Sequence, residues 1–211
     1  MPTLEAPLQR LPRYLTQTEI EAFFRTITSV RDLALFGLLY LYGLRVSEVS
    51  LLLRRDVDLA RSRFVVKRLK GGVWAERPLF SSARTLLAAH LASLGPAPGS
   101  APLFPGNGGP LRKRQIQALF TRYRDRAGLP GHITCHSLRH SIATHLLDAG
   151  ASLEFVQDHL GHQSIRSTSI YARITDRHRR ALYRKLESSP WIVCPDGPGR
   201  EGHQPRKEGI P

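Results

Sequence analysis

The run Leu33-Ala34-Leu35-Phe36-Gly37-Leu38-Leu39-Tyr40-Leu41-Tyr42 constrains this 211-residue chain more than any other feature. A stretch with no charge must be buried. Extended to Leu44 it is still too short, and too interrupted by glycine, to span a bilayer, which takes about 20 apolar residues. It therefore predicts a buried helix that stops at Gly43. A chain of this length can close a core around such a helix without disulfide or metal staples. Cys135 and Cys194 make neither a disulfide framework nor a zinc-ligand spacing. The opening Met1-Pro2-Thr3-Leu4-Glu5-Ala6 has no basic segment leading into an apolar one, so no signal peptide is visible. The expectation is a protein of the reducing cytoplasm, with no membrane association.

Other elements follow from periodicity and punctuation. Thr16 precedes Glu19 and the apolar positions Ile20, Phe23, Phe24 and Ile27, a capping box with helical spacing. A short helix is expected over 47–53. Phe64-Val65-Val66 and Arg77-Pro78-Leu79-Phe80 predict two strands of a hairpin turning near Gly71-Gly72. Helices are predicted over 83–94, 115–127, 137–149 and 153–160, and a basic amphipathic helix over 176–187. Residues 95–110 hold five prolines and five glycines and predict a loop rather than a packed element. The fold class is therefore α+β, mainly α, with one small antiparallel sheet. Residues 1–11 read as an N-terminal arm, 12–188 as one domain and 189–211 as a disordered tail.

Charge is unevenly placed. The chain carries 31 basic and 17 acidic residues, a net +14, yet residues 1–60 sum to zero with seven arginines and seven acids. The excess lies beyond residue 60, in clusters at 61–70, 112–126 and 173–185. Clustered positive charge releases counterions from a phosphate backbone, which makes nucleic acid the leading partner; solvated helix faces are the plain alternative.

Several residues are chemically conspicuous. His136, Arg139 and His140 share a helix face by i, i+3, i+4 spacing. Two imidazoles beside a guanidinium suit an anion such as phosphate. A metal shared with His145 fits poorly, because Ser137 stands where a zincin helix has its glutamate and Arg139 would repel a cation. His162 and Tyr171 are nine residues apart, on opposite faces of any unbroken helix, so they share a site only if the chain bends, with Gln163-Ser164 as a plausible place. Taken alone, Tyr171 reads more readily as a half-buried core residue than as a functional one. Arg45 follows a buried helix and a glycine stop, an odd place for a surface charge, and Glu48 at i+3 can hold it, either for a ligand or as a structural ion pair. Lys70, beside the hairpin turn, can project over a ligand or simply into solvent.

Together these residues resemble the catalytic domain of the tyrosine recombinase, or phage integrase, family. Gly43-Leu44-Arg45-Val46-Ser47-Glu48, the hairpin Lys70, His136-Ser137-Leu138-Arg139-His140, Leu160-Gly161-His162 and Tyr171 occur in that family's order and spacing over about residues 12–187. The resemblance implies a helical DNA-breaking-rejoining domain that clamps DNA. It implies Tyr171 as nucleophile, Arg45 and Arg139 as the grip on the scissile phosphate, and His136 and His162 as further phosphate contacts and proton-transfer groups. Lys70 becomes the general acid at the leaving 5′-oxygen, although Lys67 also precedes the turn. Glu48 and His140 become supporting residues. Arg68, Lys113, Arg114, Arg166 and Arg173 are the expected DNA contacts.

The resemblance implies no cofactor and no metal. Its partners are double-stranded DNA, other protomers in a tetrameric synapse (with a monomer off DNA), and accessory DNA-bending proteins. Most members carry a separate helical domain before the catalytic one. The short fimbrial phase-variation recombinases do not, and they are similar around Arg68-Leu69-Lys70-Gly71 and over 157–166, so a small self-contained invertase or integrase is expected. A catalytically silent DNA-binding module that assists or competes with a full-length recombinase is the alternative.

Overall fold

The computed structural model describes residues 13–67 and 74–161. Thr16 caps helix α1 (Gln17–Arg25): its Oγ1 accepts from Glu19 N at 3.3 Å, and Glu19 accepts from Thr16 N at 2.7 Å. Two orphan amides at a helix start are thereby satisfied reciprocally. Helix α2 (Val30–Leu41) begins at Ser29, whose hydroxyl accepts from Asp32 N. All residues from Ala34 to Leu39 are buried, so α2 is the central helix that its composition predicts. It packs on α4 (Ser81–Leu94) and α6 (Cys135–Asp148). Gly37 permits this approach, since a methyl there would come within 2.8 Å of Leu86.

On α2's other side, Phe23 of α1 and Phe36 of α2 meet Phe120 and Tyr123 of α5 (Lys113–Arg126). Ring centroids lie 5.0 Å apart for Phe23 and Phe120 and 6.0 Å for Phe36 and Tyr123, distances at which aromatic pairs attract beyond their area. The Tyr123 hydroxyl donates to the buried Asp32 carboxylate at 2.8 Å, and Arg31 Nε pairs with it at 2.8 Å. The carboxylate is therefore compensated, as burial demands.

The expected hairpin is present as β2 (Arg63–Lys67) and β3 (Trp74–Pro78), antiparallel, with Phe64 opposite Arg77 and Val66 opposite Ala75. Phe64 and Val66 are buried at the period of two that a one-sided strand requires. A third strand, β1 (Val57–Asp58), pairs with β2 and is too short to show any period. β3 begins earlier than expected and ends at Pro78 rather than Phe80. The backbone leaves the ladder there because Leu79 N donates to Ser62 O and Phe80 N to the Tyr42 hydroxyl.

Two expectations fail. The helix after Gly43 is only α3 (Val46–Val49), not 47–53. Leu53 instead bridges to Pro102, and Leu52 O accepts from Leu103 N at 2.8 Å, so tertiary pairing ends the helix early. The second failure is the same contact seen from its partner. The segment 95–110 is not an unpacked loop: Leu103 and Phe104 are fully buried, Phe104 stacks on His90 at 5.1 Å, and Pro105–Gly106 pairs with Gly109–Pro110 as β4 and β5. The remaining helices start within two residues of expectation, and α7 (Leu153–Leu160) coincides with it. The architecture is mainly α with small antiparallel sheets. Among the described residues no helix is long and apolar enough to cross a membrane.

Candidate phosphate-binding site

The site forms where three chain breaks meet. The first is the end of α2. Gly43 adopts φ +55°, and a methyl there would collide with Leu160 of α7 and crowd Ile142 of α6. Only glycine meets both demands. The chain then turns into α3, with Arg45 as its N-terminal cap. Glu48, wholly buried, accepts from Arg45 N at 2.8 Å and from Arg45 Nη1 at 2.9 Å. One carboxylate thus fixes both the backbone and the guanidinium of Arg45, whose side chain keeps 30% of its surface open.

The second break is the entry to α6. His136, in its first turn, is exposed on one side. Its ring centroid lies 4.5 Å from that of His140, one turn on, in an edge-to-face arrangement. The pKa of His136 is lowered, first by partial withdrawal of the ring from water and then by the positive charges of Arg139 and Arg45. Both guanidinium groups therefore bear on the same imidazole. The neutral form of the His136 ring is therefore favoured.

Arg139 sits between the two imidazoles in sequence but turns inward and is only 1% exposed. Its Nη1 donates to Gly43 O and its Nη2 to Leu160 O at 2.7 Å. Each carbonyl stands two residues before a residue expected at the site: Arg45 in one case, His162 in the other. Leu160 belongs to the third break, where α7 ends at Gly161 in the left-handed conformation.

Between α3, α5 and the start of α6 lies a cavity of about 590 Å³ lined by Arg45, His136, Lys113, Gln117, Thr121 and Arg124, among others. Lys113, Gln117 and Thr121 recur at i, i+4, i+8, the spacing of one helix face. Gln117 and Thr121 escape a reading that follows charge alone, although this periodicity marks them. Arg124 is largely spent on structure, donating to Gly131 O at 2.8 Å and to Asp125 at 2.7 Å. Arg114 is exposed on the same helix and does not line the cavity. Cys135 lines it, but burial pushes its thiol up to about 12, so it stays protonated. The structure thus brings Arg45, Glu48, His136, Arg139 and His140 into one neighbourhood, with Lys113 on the cavity wall. Tyr40 holds His145 at 2.8 Å through Nδ1, and no group of three His, Cys, Asp or Glu that could hold a metal occurs among the described residues. Lys70, Arg68, His162, Arg166, Tyr171 and Arg173 lie outside the described residues, as do the predicted helix over 176–187, the 1–11 arm and the 189–211 tail.

Comparison with known proteins bears on the same elements. Residues 13–178 match the phage integrase family. Tyrosine recombinase XerC of Nitrobacter winogradskyi is 41% identical over 157 residues, covering 73% of this chain and 49% of the relative. A XerA recombinase structure superposes with a TM-score of 0.74 at 26% identity, over 88% of this chain and 67% of that one. A XerH site-specific recombinase bound to its difH substrate, in a pre-cleavage complex, gives a TM-score of 0.70 at 27% identity, over 89% of this chain and 57% of that one. The chain spans about half the length of the XerC relative.

Proposed function

The chain belongs to the phage integrase family of tyrosine recombinases, and on that premise we propose that it cleaves and rejoins double-stranded DNA at specific sites through a 3′-phosphotyrosyl intermediate. The observation that carries this reading is a basic cavity lined by Arg45 and His136, with Glu48 locking that arginine and Arg139 buried behind it, tied to the carbonyls of Gly43 and Leu160. Tyr171 attacks the scissile phosphorus. The O–P bond to Tyr171 forms as the bond to the 5′-oxygen breaks, and Lys70 supplies the proton that oxygen needs. The phosphoester energy is retained in the protein link, so rejoining is the reverse attack by a 5′-hydroxyl and needs no nucleotide cofactor.

Charge accumulating on the non-bridging oxygens is the main barrier. Fixed guanidinium groups meet it without reorganising, and loss of one such group costs about 2.7–4 kcal/mol. A guanidinium fork matches two phosphate oxygens at once, which an ammonium cannot do. A tyrosine with a pKa of about 10 is neutral at pH 7, so a neutral imidazole such as His136 or His162 is suited to receive its proton. Arg68, Lys113, Arg114, Arg166 and Arg173 track the flanking backbone. The working form is a synapse of several protomers, helped by DNA-bending proteins, in the cytoplasm with the DNA.

Incubation with a nicked suicide duplex tests the reading. The parent chain should form a covalent DNA adduct, and Tyr171→Phe should abolish the adduct while still binding DNA. Attachment by the phenylalanine variant at the parental rate would remove Tyr171 from the role. Absence of any adduct from the parent, with binding intact, would favour the silent DNA-binding module.

A further inference from the structure

The last turn of α7, Asp158-His159-Leu160, is gripped from three other elements. Arg77 of β3 donates through Nη1 to Asp158 Oδ2 at 2.5 Å, and through Nη2 to Asp158 O at 2.6 Å and Oδ1 at 3.2 Å. His159 Nε2 donates to Leu41 O, the last residue of α2, at 2.9 Å. Arg139 of α6 takes Leu160 O. The rings of Tyr42, Phe80 and Phe155 lie nearly parallel to that of His159 at 6.2, 6.4 and 5.9 Å. The Tyr42 hydroxyl donates to Pro78 O and accepts from Phe80 N, which secures the chain directly after Arg77.

A helix end normally leaves its final carbonyls to water and frays. Here two of those carbonyls, four and two residues before His162 in sequence, are held by arginines from different elements. Stability alone does not account for Arg77. Its Nε is buried with no hydrogen-bond partner, which is unfavourable, while Asp158 is 69% exposed, and ion pairs with an exposed member contribute little. What three contacts from one guanidinium to a single residue do supply is position. They hold the carboxylate and the backbone carbonyl of Asp158 together, which ties the end of α7 to β3 at two points.

We propose that Arg77 is a positioning residue for strand cleavage: by clamping Asp158 it sets the last turn of α7, from which the chain runs on in sequence to His162. This rests on the reading above, in which His162 contacts the scissile phosphate.

The test is a double-mutant cycle on the full chain, using single-turnover cleavage of a nicked suicide duplex and DNA affinity by titration. Arg77→Gln should slow cleavage by about 10–100-fold with the Kd for DNA changed less than about threefold, and Asp158→Asn should move the rate in the same direction. In a His162→Ala background, Arg77→Gln should slow cleavage further by less than about threefold, because groups acting through one another are not additive. A parental rate for Arg77→Gln, or a full multiplication of the two single effects, overturns the clamp while leaving His162 in its role. A parental rate for His162→Ala overturns the site reading, and the clamp with it. Should Arg77→Gln not fold, Asp158→Asn completes the same cycle.

Discussion

Arg139→Lys probes the centre of the site most directly. The native side chain donates to two carbonyls on different segments, Gly43 O and Leu160 O, from a position 1% exposed. A lysine carries its charge at one point and can reach only one of them. A hydrogen bond from a charged donor contributes about 1.5–3 kcal/mol, and the deserted carbonyl has no water to turn to. At about 2–4 °C per kcal/mol for a domain of this size, the melting temperature should fall by about 3–12 °C. Cleavage should suffer more than stability predicts, by about a hundredfold or more, because the turn that presents Arg45 is held through Gly43 O. The assays are differential scanning calorimetry and single-turnover cleavage at a temperature where the variant is fully folded. A lysine variant that melts within about 1 °C of the parent would show that the two carbonyl contacts contribute nothing, and would refute the reasoning.

Other predictions follow from neighbouring features. Gly43→Ala combines a positive φ with a collision against Leu160 and should destabilise by about 2 kcal/mol or more in urea titrations; a neutral effect would mean that the turn can relax. His90, His136 and His145 all have pKa values lowered chiefly by burial, so the folded state takes up fewer protons than the unfolded one. Stability should therefore be full above a pH of about 6.5 and decline as pH falls toward 5; a flat or rising melting temperature on acidification contradicts this. The His136 pKa, followed by NMR, should start below the ordinary histidine value and rise on DNA binding, because a phosphate offsets the charges of Arg139 and Arg45; a fall would place no phosphate near it. Phe104→Ala should cost about 3–5 kcal/mol by opening a cavity beneath a segment rich in proline and glycine, and a cost under about 1 kcal/mol would mean that the site collapses.

Much of this organisation is legible in the residues, for identifiable reasons. Capping chemistry at Thr16 and the apolar periodicity of α2 are local, so they survive without any knowledge of tertiary contacts. The hold of Glu48 on Arg45 is an i, i+3 relation and is equally visible. What escapes depends on remote partners. Arg139 binds carbonyls 96 and 21 residues away, and backbone carbonyls leave no mark in a sequence. Leu103 and Phe104 are buried despite a composition typical of solvated loops, because Leu52 and Leu53 draw that segment inward. The same pairing shortens α3. His159 looks like an ordinary helix-end histidine until its partner Leu41, 118 residues earlier, is brought against it.

The double hold of Arg139 on Gly43 and Leu160 also sets the order in which this region can be completed during synthesis. A nascent chain that has emerged only as far as α5 has made Arg45 and Glu48 but lacks the guanidinium that pins their turn, and one that stops before α7 leaves that guanidinium without Leu160 O. The turn that presents Arg45 is therefore pinned in full only once α7 has been made and packed, as an outcome of closing the fold.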